Sequence, residues 1–291
     1  MATDEVESYE RIVVGVDASP ESVDALRLAR LLAAGLGSEI DVVAVLPGGR
    51  AGPNLLPDEE AREAYFQPLF ETASDELQGD FTEHRLDGVS APGGLTSVAE
   101  RVDAAAIVIG SHARGPIGRV LMGDVGATLA AGAPCGVVVA PRGYARECPE
   151  TIARVGIGYD GRSESEAALD AGTRMARSFG ASPTLVAAVP LLHAGGRIGH
   201  TSRGYEHLII EKMGQRLAEV AGAQEGSVDF DVRVGDPADC LAEASEEFDL
   251  LVLSSRGYGP LRRVMLGGVS VRVMRSAACP VLVVPRTGWH E

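Results

Sequence analysis

The chain is written twice. Arg11-Ile-Val-Val-Gly-Val-Asp17 near the start returns as Arg154-Val-Gly-Ile-Gly-Tyr-Asp160, with the two aspartates 143 positions apart. The end of each half also matches. Ala133-Pro-Cys135-Gly-Val-Val-Val-Ala-Pro141 is answered by Ala278-Cys279-Pro-Val-Leu-Val-Val-Pro285. Cys135 and Cys279, Pro141 and Pro285, and Gly123 and Gly267 are each 144 apart. Landmarks that keep register within one residue across a whole half mark a duplication. A chain of 291 residues then reads as two domains. A unit of about 150 residues buries roughly 70% of its unfolded surface, so each copy can hold its own core. The expected divisions are a first domain over 9–142, a polar linker over 143–153 containing Pro149, and a second domain over 154–286.

Within each copy, short apolar runs alternate with helix-period segments. In the first, strands are expected near Ile12–Val16, Ile40–Leu46, Phe81–Leu86, Ala105–Ile109 and Cys135–Ala140. Helices fall between them: one capped by Ser19 and ended by Gly37, then Glu59–Leu77, Gly94–Val102 and Asp124–Ala131. The second copy gives strands near Val155–Tyr159, Thr184–Val189, Val228–Val234, Leu250–Leu253 and Val281–Val284. Its helices are expected near Ser163–Phe179, Tyr205–Ala221, Pro237–Glu246 and Gly268–Arg275. Strand–helix alternation gives a parallel sheet with right-handed crossovers. The expected fold is α/β: two tandem, open, five-stranded parallel sheets of Rossmann-like type, with helices on both faces. Aromatics make up only 4% of the chain, which suits cores of Val, Leu, Ile and Ala.

The net charge of −15 argues against nucleic-acid or membrane-surface partners, because an acidic body repels both. No apolar run approaches the roughly 18 residues of a membrane span. The acidic first ten residues lack the pattern of a secretory signal. Cys135, Cys148, Cys240 and Cys279 form no C-x-x-C pair and no zinc-type spacing with histidine. A cytoplasmic location is expected from these features. Metal binding by His193, His200 and His207 is not expected, and His112 has no catalytic partner at a suitable spacing. No Ser/His/Asp or Cys/His arrangement is visible, so the chain is not expected to be an enzyme.

In open parallel sheets, ligands bind beyond the carboxyl ends of the strands where the strand order reverses. Three features of each copy should converge there: the aspartate closing the first strand (Asp17, Asp160), the end of the second strand (Val45, Val189), and a glycine-rich loop after the fourth. That loop reads Ile109-Gly110-Ser-His-Ala113-Arg-Gly-Pro-Ile-Gly-Arg-Val-Leu-Met-Gly123-Asp124 in the first copy. Together with the opening Val-Gly-Val-Asp-Ala-Ser and the closing Pro-Cys-Gly-Val-Val-Val, it resembles the universal stress protein family. The resemblance covers 11–142 and again 154–286. ATP-binding members carry Gly, two residues, Gly, nine residues, Gly, then Ser or Thr. The resemblance implies an adenine nucleotide alpha hydrolase-like fold, ATP with Mg²⁺ as the cofactor where one is bound, and hydrogen bonds from Asp17 and Asp160 to adenine or ribose. It also implies pairing through the last strand. In a tandem chain this would make an intramolecular pseudo-dimer, open to further association into a homodimer.

Both loops depart from the nucleotide pattern. In the first, Gly110 and Gly123 match, but Ala113 stands for the second glycine and Asp124 for the hydroxyl residue. Asp124 suits a helix N-cap, yet beside a triphosphate it adds a like charge worth of order 1–4 kcal/mol at about 4 Å, unless a metal bridges them. The second loop keeps Gly257 and Gly267 at the family spacing, with Ser254 in place of the first glycine and Gly268, followed by Val269, in place of the hydroxyl residue. It adds no acid and gathers Arg256, Arg262, Arg263, Arg272 and Arg275. If one copy binds nucleotide, the second is expected to. Two readings follow. One is a stress protein whose conformation or partner binding responds to nucleotide; the other is a dimerising scaffold that needs none. The related hydrolases carry Ser-Gly-Gly-x-Asp-Ser after the first strand, where this chain has Asp17-Ala-Ser-Pro20.

Overall fold

A computed structural model describes residues 11–46, 58–111, 123–190, 201–255 and 267–285. The first copy runs β1 (Arg11–Val16), α1 (Glu21–Leu36), β2 (Glu39–Leu46), α2 (Glu59–Leu77), β3 (Thr82–Asp87), α3 (Ala91–Val102), β4 (Ala106–Gly110), α4 (Asp124–Ala130) and β5 (Gly136–Ala140). The second runs β6 (Arg154–Gly158), α5 (Ser163–Phe179), β7 (Ser182–Val189), α6 (Thr201–Gly222), β8 (Asp229–Val234), α7 (Pro237–Ala244), β9 (Leu250–Ser254), α8 (Gly268–Val273) and β10 (Val281–Val284). The expected α/β fold is present in both copies. The strands form one sheet in the order β3-β2-β1-β4-β5-β10-β9-β6-β7-β8. Every pairing is parallel except that of β5 with β10, where Val137, Val138 and Val139 lie antiparallel to Val283, Leu282 and Val281. The two five-stranded units therefore continue into one another.

The central strands are apolar on both faces because helices cover both. In β1, Ile12, Val14 and Val16 pack with α1 and α2, while Val13 packs with α3 on the opposite face. Ala106, Ile107 and Val108 of β4 and Val137–Ala140 of β5 have no solvent exposure. Burying each large aliphatic side chain contributes roughly 1.5–3 kcal/mol, so these strands anchor the fold. Across the junction, α1 meets α5: a Cβ on Gly35 would stand 2.6 Å from Phe179 Cδ1, and closer still to Cε1 and Cζ. Glycine there lets the Phe179 ring lie against α1. One fully buried carboxylate, Asp41 in β2, has its Oδ1 2.6 Å from His84 Nε2, and Arg101 Nη2 donates to His84 Nδ1 at 2.8 Å.

Two expected caps differ. Pro20, not Ser19, precedes α1, and no side chain caps that end. Asp17 is the reason: its Oδ1 accepts from the Ser19 N–H and the Ser22 hydroxyl, so the turn is built on Asp17. Glu21 and Asp24 in the first turn supply the negative charge that a helix N-terminus favours. Gly37 ends the helix with φ 68°, as expected. At α4 the N-cap is Gly123 with no side-chain bond, and Asp124 is already the first helical residue.

The linker is pinned at both ends by carboxylates. Asp24, 4% exposed, accepts from the Gly143 N–H at 2.7 Å and the Ala145 N–H at 2.8 Å. Asp249 accepts from the Ala153 and Arg154 N–H groups, both at 2.9 Å.

Candidate functional site

The chain runs outward from β1 to β3, then returns to β4 and β5 on the other side of β1. The strand order thus reverses between β1 and β4, and in the second copy between β6 and β9. Continuing the ladders by one to three residues past their last pairs brings Asp17 into register with Ser111 and Val45, and Asp160 with Ser255 and Ala188. The expected aspartates, second-strand ends and loop starts are therefore neighbours in each copy. The register also shows that the counterpart of Val45 is Ala188, whereas Val189 corresponds to Leu46. Val189 and Leu46 play the same part: their carbonyls accept from Gly235 and Gly88 respectively, in bonds of 2.9 and 3.2 Å.

In the first crevice a tyrosine from α2 reaches the end of β2. The Tyr65 hydroxyl of α2 donates to the Val45 carbonyl at 3.2 Å. Burial, and after it the charge of Asp17, push the Tyr65 phenol above its usual range. Asp17 itself is exposed, with Oδ1 committed to its own turn. Gly110 is tight for a packing reason: a Cβ there would stand 2.8 Å from the Glu21 carbonyl carbon, and closer to its oxygen. Glu21 is 4% exposed and is held by Arg142 Nε at 3.1 Å. Asp124 is exposed at the start of α4.

The second crevice has its own set of turn contacts. Asp160 is exposed and its Oδ1 accepts from the Arg162 N–H at 3.0 Å. Arg216 of α6 reaches the same turn and donates to the Gly161 carbonyl at 2.7 Å. The residue at the position of Tyr65 differs. Leu217 and Ala221 of α6 are buried 144 positions after the buried Ala73 and Leu77, and that step takes Tyr65 to Ile209, which has no hydroxyl. Ser255 is 1% exposed, and its hydroxyl has no hydrogen-bond partner among the described residues. Ser254 closes β9, and its carbonyl accepts from the Ser270 hydroxyl at 3.4 Å. Gly267 is the N-cap of α8, with Gly268 and Val269 as the first helical residues. A Cβ on Gly268 would meet nothing within 4 Å, so no close approach dictates glycine there.

Arg272 does not face the crevice loop. It spans α8 to α7, pairing with Asp236 at 2.9 Å and Asp239 at 2.8 Å. The expected arginine cluster is thereby reduced by one. Ala113, Gly257, His112, Arg256, Arg262, Arg263, His193 and His200 lie outside the described residues; His207 is exposed on α6. Among the described residues, no group of three or more His, Cys, Asp or Glu side chains could hold a metal ion. No helix among them is long and apolar enough to cross a membrane. Sequence reasoning missed Tyr65, Ala188, Arg216 and Ser255. Ser111 and Ser255 carried a signal, since they repeat at the 144-residue offset directly after the fourth strand of each copy.

Comparison with known proteins agrees with this organisation. The family model of the universal stress protein family matches residues 8–141 and again 151–285. A universal stress protein of Mycolicibacterium smegmatis is 32% identical over 295 residues, covering 94% of this chain and 96% of its own. The crystal structure of a universal stress protein from Archaeoglobus fulgidus aligns with a TM-score of 0.63 at 16% identity, covering 96% of this chain and 99% of that one. A putative universal stress protein from Pseudomonas aeruginosa aligns at 0.65 and 15% identity, over 97% and 95% of the two chains. At those identities the structural likeness speaks for the fold. The doubled family match and the full-length relative speak for descent: this chain belongs to the universal stress protein family, as a tandem member carrying two family domains.

Proposed function

We propose that the protein binds an adenine nucleotide in the crevice of its second domain and responds by conformation or partner binding, with turnover at most slow. The observation that carries this reading is the contrast between the two switch points. In the first, the Tyr65 hydroxyl takes the Val45 carbonyl, the group at the end of β2 that a base would otherwise use. In the second, Ile209 offers no such bond, and the buried Ser255 hydroxyl beside Asp160 waits for a partner. An unpaired buried hydroxyl costs about 1–3 kcal/mol, which a ligand oxygen or nitrogen would recover. Asp160 would take the ribose or base, and Arg216 would supply positive charge at the same turn. Mg²⁺ would arrive with the nucleotide rather than on a protein cluster. A cytoplasmic setting fits this reading.

Equilibrium dialysis of ATP, ADP and AMP against the full chain, with and without Mg²⁺, tests it. Saturable binding that is lost in Ser255→Ala or Asp160→Ala and kept in Asp17→Ala supports the second domain as the site. Absence of binding at millimolar nucleotide would refute it.

A nucleotide-independent scaffold is the second reading. It draws on Arg272, whose charge is spent on Asp236 and Asp239, and on the β5–β10 pairing, which joins the two domains without any ligand.

A further inference from the structure

The two outer edges of the sheet differ at equivalent positions. β3 and β8 each pair with one neighbour only among the described residues. Gly88 donates to the Leu46 carbonyl and Gly235 to the Val189 carbonyl, so both lie on inward-bonding positions. By strand alternation, the outward-bonding residues are Glu83, Arg85 and Asp87 on β3, and Phe230, Val232 and Val234 on β8. The ladders make these sets exact counterparts, because Leu46 pairs with Asp87 and Val189 with Val234. The β3 set is closed by charge. Arg85 pairs with Glu63 and Glu83 and lies 5.1 Å over the Phe70 ring, while Arg62 pairs with Asp87. The β8 set is apolar, and Phe230 and Val234 are each 44% exposed. Leu208, on the helix packed against this edge, is 45% exposed. An apolar edge with outward N–H and C=O groups is a template for another strand, and charges are the usual guard against it.

We infer that β8 pairs antiparallel with β8 of a second copy of this chain, about a two-fold axis through Val232. The register follows from self-complementarity. With Val232 on the axis, Phe230 faces the partner's Val234, and Asp231 faces the partner's Arg233, each twice. The three outward residues then form hydrogen-bonded pairs, each exchanging two main-chain bonds. A shift of the axis by one residue sets Asp231 or Arg233 against itself, which cross-strand repulsion disfavours. Asp231 and Arg233 already pair within the strand at 2.6 Å, and Arg233 reaches Glu247 at 2.6 Å, so the dimer extends an existing ion-pair network. The contact is isologous and closes on itself, so it yields a dimer and not a filament. The last strands, β5 and β10, are already used inside the chain, which leaves β8 as the apolar edge.

Sedimentation velocity and native mass spectrometry of the full chain test this, with thermal unfolding as the control for folding. The wild type should run as two chains. Phe230→Lys and Asp231→Arg should each shift it toward one chain, and Asp231→Arg combined with Arg233→Asp should restore the dimer, because the swap rebuilds the opposite-charge pairs. The double swap keeps the test valid if Phe230→Lys fails to fold. A monomeric wild type at all soluble concentrations overturns the inference, as does a dimer that neither single variant weakens or a charge swap that fails to restore the dimer lost in Asp231→Arg.

Discussion

Gly110 stands at the first glycine of the family pattern in the first copy and Gly268 at its hydroxyl position in the second, and replacing each by alanine should have different effects on stability. At Gly110 the new Cβ would stand 2.8 Å from the Glu21 carbonyl carbon and 3.0 Å from its Cβ, with the oxygen closer still. Relief requires moving β4 or the start of α1. Both are anchored: Ile107 and Val108 are fully buried on one side, and Ala25 and Leu26 on the other. Overpacking of this kind costs about 1–3 kcal/mol, and the upper end applies because the obstacle is backbone and not the tip of a flexible side chain. At Gly268 the Cβ meets nothing within 4 Å, and the position opens α8. Alanine there should be neutral or stabilising by up to about 1 kcal/mol, through helix propensity and a less disordered unfolded chain. Urea unfolding followed by circular dichroism reads both. With a slope of about 3 kcal/mol per molar, Gly110→Ala should lower the midpoint by up to about 1 M while Gly268→Ala leaves it level or raised. An unchanged midpoint for Gly110→Ala would refute the packing account of that glycine. Nucleotide binding lost in Gly110→Ala would also have to be read against this loss of stability.

Asp24→Ala should destabilise by about 2–4 kcal/mol, since it strips the Gly143 and Ala145 N–H groups of their acceptor; a thermal midpoint within experimental error of wild type contradicts this. Burial raises the Asp24 carboxyl above its ordinary value. Its titration therefore contributes stability that is full below the unfolded pKa and falls as pH rises through the folded one, and a pH series of unfolding free energies on wild type and Asp24→Ala should show that slope only in the former. Asp236 has the opposite sign, because Arg272 first and then the Ala238 and Asp239 N–H groups lower its carboxyl. The stability it lends is present above its unfolded value and lost as pH falls through the folded one, so wild type and Asp236→Ala should converge in acid. Burial pushes the Cys135 thiol to about 12 and raises the Cys279 thiol as well, whereas Cys148 is only partly buried. Alkylation of the native protein at neutral pH, mapped by peptide mass spectrometry, should mark Cys148 before the others, and early labelling of Cys135 or Cys279 would contradict the packed strands.

The duplication carried the reading of the fold because apolar period and turn residues agreed with it twice. Glu59–Leu77 and Ser163–Phe179 come out at the expected bounds: the Asp58 side chain caps the first, and Gly180 ends the second in the left-handed region. Where a turn is closed by side chains, composition misled: Ser19 was the better cap by type, but the Asp17 carboxylate closes the turn and α1 begins only after Pro20. The site was legible in outline, as aspartate, strand end and loop start meet where strand order reverses. What was not legible depends on tertiary placement. Tyr65 reaches the Val45 carbonyl from a helix, 48 residues away from Asp17 along the chain. Arg272 looks like part of an anion site by its neighbours in sequence, but α7 stands closer with two aspartates. Val189 and Ala188 differ by one step of ladder register, which an offset that drifts between 143 and 144 cannot resolve.

Which crevice is open is the central claim, and binding stoichiometry tests it most directly. Isothermal titration of the full chain with ATP and Mg²⁺ should give one site per chain in the wild type, lost in Ser255→Ala, with Tyr65→Ala adding capacity only in the first domain. Two equal sites in the wild type, or a single site that survives Ser255→Ala and disappears with Asp17→Ala, would contradict the account.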